Sequence, residues 1–239
     1  MEASFPCVIF ECAHLSINPP PPGRVLVVGD VHGCRTELER LLAAANLTAD
    51  DQLIFVGDLV NNGPDSAGVV RMARERNALS VVGNHELRLL TAKKERQTKD
   101  LKRTDYPTIR RLAPEDWDYL AAMALTIEVP AWETLIVHGG FLPDVPWKNQ
   151  PAATVTEVQL LDRRGRPVKR TACPEGTPWA DLWEGPPFVI YGHTPMREVA
   201  RFPYALGIDT GCVYGGHLTG VLLPDRRLVQ VPAARRYRD

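Results

Sequence analysis

The sequence predicts an α/β fold, and three observations carry that prediction. Val25-Leu26-Val27-Val28, Leu53-Ile54-Phe55-Val56 and Leu79-Ser80-Val81-Val82 are short, mostly apolar runs of the kind a strand buried on both faces requires. Each is halted by glycine and a polar residue, in Gly29-Asp30, Gly57-Asp58 and Gly83-Asn84-His85, and each is followed by a segment with helical spacing. Successive strand-loop-helix units on short connections predict a largely parallel sheet with right-handed crossovers. Such sheets place their ligand crevice at the carboxyl ends of the strands, which is where these polar residues lie.

Taken in order, residues 1–22 end in Pro19-Pro20-Pro21-Pro22, a polyproline II spacer that cannot lie inside a sheet. This makes 1–23 an N-terminal proline-rich extension, either a loose tail or an edge strand, and 24–239 a single domain of a length that one core supports. Thr36 and Glu39 form a capping-box pattern before Leu38, Leu41, Leu42 and Ala45, the inward face of the first helix. A second helix is predicted from Asp65 with Val69, Met72 and Ala73 inward, and a third from near Glu86 through Arg103. After a helix over 114–124, short strands dominate, at 135–137, 155–161, 188–191, 218–223 and 228–231. Arg163-Arg164-Gly165 and Pro224-Asp225-Arg226-Arg227 read as hairpin turns, so a second, more antiparallel sheet packed on the first is expected.

Composition narrows the function. With 44% hydrophobic and 24% charged residues the chain has the make-up of an ordinary globular protein. A net charge of −1 excludes a global polyanion footprint, so neither DNA nor a membrane surface is an expected partner, and any attraction to phosphate must come from a local patch or a metal ion. Five cysteines (Cys7, Cys12, Cys34, Cys173, Cys212) are scattered and contain no CxxC pair, which fits a reducing compartment, cytosol or nucleus. The apolar run over 5–10 is too short for a signal peptide, and no stretch reaches the roughly 20 apolar residues of a membrane span.

A Gly-Asp pair after a strand is usually a turn with a capping carboxylate, and a lone histidine is more often structural than a ligand. Here the pattern repeats. Four of the six histidines, with two aspartates and an asparagine, follow buried-strand patterns in Gly29-Asp30-Val31-His32-Gly33, Gly57-Asp58, Gly83-Asn84-His85-Glu86, Val137-His138-Gly139-Gly140 and Tyr191-Gly192-His193-Thr194. Divalent metals take carboxylate, amide oxygen and imidazole ligands, and rigid strand ends can hold several within coordination distance. Two cations about 3.5–4 Å apart lower the pKa of a bound water and clamp phosphoryl oxygens, so the set points to metal-assisted phosphoryl hydrolysis without a phosphoenzyme.

These ordered motifs resemble the phosphoprotein-phosphatase branch of calcineurin-like metallophosphoesterases. GDLVNNGPDS from Gly57, the YGHT segment and IDTGCVYGG from Ile208 are similar to diadenosine tetraphosphatases (ApaH) and ApaH-like phosphatases, over about residues 24–231. The resemblance implies an α/β/β/α sandwich of two mixed sheets flanked by helices. It implies that Asp30 and His32 bind one divalent cation, that Asp58 bridges two, and that Asn84, His138 and His193 complete the second. The metals would be Mn, Fe, Zn or Co, with manganese expected in vitro, and the nucleophile a hydroxide bridging them. His85 would be the general acid, its ordinary pKa near neutrality suiting that role, with Asp209 and Thr210 supporting ligands. The implied substrate is a nucleoside polyphosphate such as diadenosine tetraphosphate or an mRNA cap; a serine/threonine phosphoprotein phosphatase and a phosphate-binding pseudophosphatase are the rivals.

Asn61 and Asn62 depart from the pattern, standing where protein phosphatases carry a histidine-orienting Asp and a phosphate-gripping Arg. Arg88, Arg110, Arg111, Lys148 and Arg197 are the candidate replacement cations. The run Lys93, Lys94, Arg96, Lys99, Lys102, Arg103 reads as an exposed helix face, with steering of polyphosphate or capped RNA the alternative. For His217 a loop role is expected, and for Trp179 and Trp183 burial between the sheets rather than base stacking.

Overall fold

The computed structural model describes residues 14–18 and 23–238, so the apolar run over 5–10, Cys7, Cys12 and the polyproline expectation at 19–22 lie outside the described residues. The elements are β1 (His14–Ser16), β2 (Val25–Val28), α1 (Arg35–Ala44), β3 (Gln52–Phe55), α2 (Ser66–Glu75), β4 (Leu79–Ser80), α3 (Asn84–Glu95), α4 (Asp105–Arg111) and α5 (Pro114–Ala121). They continue with β5 (Thr126–Val129), β6 (Thr134–Val137), α6 (Ala152–Glu157), β7 (Leu160–Leu161), β8 (Pro167–Val168), β9 (Thr177–Pro178), β10 (Phe188–Tyr191), β11 (Ala200–Arg201), β12 (Ala205–Gly207), β13 (His217–Leu223) and β14 (Arg227–Pro232).

The first sheet has the order β14-β13-β2-β3-β4, with β2, β3 and β4 parallel as the rhythm predicts and β13 antiparallel to β2. Alternation along the strands then builds the layers, because successive side chains leave opposite faces. Leu26, Val28, Leu53 and Phe55 turn outward and pack with Leu38 and Leu41 of α1, Val69 and Ala73 of α2, Leu89 of α3 and Leu120 of α5. Val25, Val27, Ile54 and Val56 turn inward against Ile127, Ile136 and Ile190 of the second sheet. That sheet, β1-β5-β6-β10-β12-β11, covers its own outer face with Phe141, Val155 and Trp179. A small sheet of order β8-β7-β9 completes the described strands. The result is the expected sandwich of mixed sheets flanked by helices.

Several expectations give way. The second sheet has three parallel and two antiparallel pairings, so it is mixed rather than more antiparallel. Residues 155–161 are not one strand: Val155 ends up in α6, which starts after Pro151, and only Leu160 and Leu161 pair. The third helix stops at Glu95, where Arg96 adopts φ 52°, and the chain folds back into α4 rather than running on through Arg103. Thr36 lies inside α1, whose cap is Cys34, and Glu39 bonds Arg35 at 3.0 Å instead of closing a capping box. Trp179 and Trp183 pack with Phe141 outside the second sheet, not between the sheets.

Other expectations hold. Asp65 caps α2 by accepting from the Gly68 N–H at 2.9 Å. The hairpins fall where the turn residues place them, between β7 and β8 and between β13 and β14. Of the two readings of the N-terminal extension, His14, Leu15 and Ser16 form an edge strand parallel to β5.

Candidate metal centre

The parallel order brings distant loops together at one edge of the sandwich. Asp30 and His32 follow β2, Asp58, Asn61 and Asn62 follow β3, and Asn84 and His85 form the first turn of α3. His138 follows β6, His193 follows β10, and Asp209 and Thr210 follow β12. Glycines make the approach possible: a Cβ on Gly57, whose φ is 94°, would lie 2.7 Å from Gly83 N and 2.9 Å from His138 Nδ1.

Asp58 is the hub. Its Oδ2 lies 3.5 Å from His32 Nε2 and 4.0 Å from His85 Nε2, and its Oδ1 lies 3.5 Å from His138 Nε2. Donor atoms of His32, Asp58 and His85 fall within 4.8 Å of one another, as do those of Asp58, His138 and His193. Asn84 Oδ1 stands 3.2 Å from both His138 Nε2 and His193 Nδ1. Asp30 is buried, and its two carboxylate oxygens accept from the His193 backbone N–H at 3.1 Å. Asp209 Oδ1 accepts from Gly211 N at 3.0 Å. Thr210 Oγ1 bonds the His217 carbonyl at 2.7 Å and Thr219 Oγ1 at 2.6 Å, so it braces the start of β13. His217 opens β13 rather than lying in a loop, and its side chain is exposed.

Tautomers decide what this ring of groups can hold. His32 Nδ1 faces the Val60 carbonyl at 3.0 Å, His138 Nδ1 faces Val56 O at 2.7 Å, and His193 Nε2 faces Glu157 O at 3.0 Å. A carbonyl only accepts, so each of these nitrogens carries the proton and the other nitrogen of each ring presents a lone pair. Those lone pairs point at Asp58 and at Asn84 Oδ1, acceptors facing acceptors. A divalent cation resolves that repulsion, and imidazole, carboxylate and amide oxygen are the donor types such cations take. The residues fit metal ions.

The electrostatics agree. Burial works against charge on Asp58, yet His138, His85, His32 and His193 together pull its pKa below the ordinary carboxylate range. Asp30 is pushed well above that range by burial and by Asp209 and Asp58, and Asp209 is also raised, chiefly by burial. His85 falls to about 3, through burial and then the neighbouring His32 and Arg88 outweighing Asp58. His193 also falls to about 3, by burial and by His138. His85 and His193 are therefore held toward the neutral form by burial.

Sequence reading missed Glu86. It is fully buried, accepts from Asp58 N at 2.9 Å and Gly83 N at 3.1 Å through Oε2, and accepts from Val60 N at 3.1 Å through Oε1. A Glu at the third helical position after a Gly cap was the available signal. Of the candidate cations, Arg88 lies behind His85, Arg111 lines a cavity of about 120 Å³ together with Asn62, and Lys148 stacks on Trp147 beside β1. Arg110 and Arg197 are exposed, as is every member of the basic run from Lys93 to Arg103, with Lys93 lying over Trp117.

This chain belongs to the calcineurin-like phosphoesterase family, matched over residues 23–220, whose members are metal-dependent phosphohydrolases. It is 30% identical over 234 residues to the asymmetrical bis(5′-nucleosyl)-tetraphosphatase PrpE of Halalkalibacterium halodurans, covering 87% of this chain and 93% of the relative. It is 29% identical to the symmetrical bis(5′-nucleosyl)-tetraphosphatase of Bordetella pertussis, covering 89% and 97%. Its fold superimposes with a TM-score of 0.81 on a crystal structure of a "putative diadenosine tetraphosphatase", at 35% identity and 93% and 98% coverage. No helix among the described residues is long and apolar enough to cross a membrane.

Proposed function

We propose that the chain hydrolyses phosphoanhydride bonds of nucleoside polyphosphates, of the dinucleoside tetraphosphate kind, with two divalent cations held on either side of Asp58. The observation that carries this reading is the ring of unprotonated imidazole nitrogens and oxygens facing one another around Asp58 and Asn84. The tetraphosphatase names of the relatives support the substrate class. Asp30, His32 and Asp58 would hold one cation, and Asp58, Asn84, His138 and His193 the other. Bound there, the cations lower the pKa of water and neutralise phosphoryl charge.

The chain's own residues supply the rest. His85, neutral with its pKa lowered to about 3, faces the hub with Nε2, 4.0 Å from Asp58 Oδ2, where its N–H would donate a hydrogen bond to the leaving oxygen. Asn61 contacts the far nitrogen of that ring at 3.1 Å, and Asn62 stands beside His32 and lines, with Arg111, the same cavity. Asp209 and Thr210 hold the loop from 209 to 217 against the site. Manganese is the metal we expect to serve in vitro, with iron, zinc and cobalt compatible with the same donors. Buried or half-buried free thiols at Cys34, Cys173 and Cys212 favour a reducing compartment, cytosol or nucleus.

A substrate panel run with manganese and again with chelator tests the proposal. Turnover should be strongest on dinucleoside polyphosphates, weaker on capped RNA and phosphopeptides, and abolished by chelation. Activity confined to phosphopeptides would replace this reading with that of a phosphoprotein phosphatase, and metal-independent turnover would remove it.

A further inference from the structure

His85 and Arg88 are three residues apart on α3, a spacing that puts two side chains on one helical face. Arg88 Nη2 reaches His85 Nδ1 at 3.2 Å. The same guanidinium is gripped from behind by Asp105 at the start of α4, Nε to Oδ2 at 2.7 Å and Nη2 to Oδ1 at 2.9 Å. Asp105 is 0% exposed, and its Oδ2 also accepts from Lys102 N at 2.8 Å. Two buried carboxylate oxygens therefore fix the direction in which Arg88 points.

Arginine only donates, so the ring nitrogen that it faces must accept. Asn61 Nδ2, the other group at His85 Nδ1, stands at 3.1 Å and also donates, while Asn61 Oδ1 is buried without a partner. Two donors on Nδ1 leave the ring proton on Nε2, the nitrogen that looks toward Asp58. The imidazole is thereby fixed in tautomer as well as in rotation, with Nε2–H presented to the departing oxygen.

We propose that Arg88, clamped by Asp105, is the positioning residue that sets His85 for leaving-group stabilisation, doing with a cation what Asn61, an uncharged amide, does only in part. This rests on the phosphohydrolase reading above and assigns Arg88 within it: the residue acts through His85 and is not a grip on the substrate phosphate. A purely structural pair tying α3 to α4 would share the burial and the distances, but it would not couple to the identity of the leaving group.

The test is a series of aryl phosphate monoesters graded from dinitrophenyl, a good leaving group, to unsubstituted phenyl, a poor one, assayed with manganese. Arg88→Met combined with Asp105→Leu removes both charges together and so avoids stranding a buried carboxylate. Turnover of this variant should fall about tenfold or more further on phenyl phosphate than on the dinitrophenyl ester, since a hydrogen bond from Nε2–H to the departing oxygen, which then takes its proton from water, matters most where that oxygen is basic. KM and metal content per chain should stay near those of the parent. An equal loss across the series, or none, overturns the inference. If the double variant does not fold, Arg88→Lys reads the same dependence, because an ammonium cannot reproduce the fork that serves Asp105 and His85 at once. A parent chain inactive on these esters and on dinucleoside tetraphosphate alike would instead sink the phosphohydrolase reading, and this inference with it.

Discussion

His32, Asp58, Asn61, Asn62 and His193 sit at φ of 47°, 49°, 68°, 66° and 66°. Left-handed backbone costs a residue with a Cβ roughly 1–2 kcal/mol, and such strain gathers where geometry serves chemistry. Asparagine tolerates that region better than most residues, which gives Asn61 and Asn62 a local rationale beyond their missing charges. Placing a cation at the second position, Asn62→Arg, should raise turnover on small phosphate monoesters about tenfold or more, the worth of a charge-assisted phosphate contact. An unchanged rate would show that another cation, with Arg111 the nearest candidate at that cavity, already grips the phosphate.

His85 offers a second residue-scale prediction. Its pKa is lowered from 6.5 to about 3 in the fold, so between those values the unfolded chain holds a proton that the folded chain rejects, and stability falls as pH drops. In metal-stripped protein, lowering the pH from about 7 to about 5 should move the stability difference between the parent and His85→Gln by roughly 2 kcal/mol toward the variant. Denaturant unfolding at both pH values measures this, and an unmoved difference would mean that His85 is not buried neutral. At this scale the candidate ligands were legible because they gather beside glycines at the ends of buried runs. Arg88 was legible only as a charge near a motif; its partner Asp105 lies 17 residues away across a fold-back that no periodicity announces.

Among the elements, the start of α3 binds the strand ends into one unit. Glu86 collects three backbone N–H groups, from Asp58, Val60 and Gly83, and a glutamine there has one acceptor oxygen for them. Glu86→Gln should cost roughly 1–3 kcal/mol of stability, read by thermal unfolding, and should loosen metal binding along with it. A variant as stable as the parent would show that these bonds do not hold the loops. The parallel strands were readable because both faces of β2 and β3 are covered, which demands unbroken apolar runs. Residues 155–157 were misread as part of a strand because Val155 and Thr156 favour strands by themselves. Tertiary contact overrode that propensity, since the short helix delivers Val155 O to Gly139 N at 2.6 Å and Glu157 O to His193 at 3.0 Å.

Across the whole molecule, two sheets share one apolar layer and each carries a second on its outer face, so the loops at one edge are anchored from both sides. That rigidity lets residues as far apart in the chain as Asp30 and His193 meet within hydrogen-bonding distance. The central claim is that Asp58 stands between two cation sites. Calorimetric titration of manganese or zinc into chelator-stripped protein tests it most directly. Saturation at two ions per chain in the parent, with both sites weakened by Asp58→Asn, is the predicted result; saturation below two, or two sites indifferent to Asp58→Asn, would contradict it.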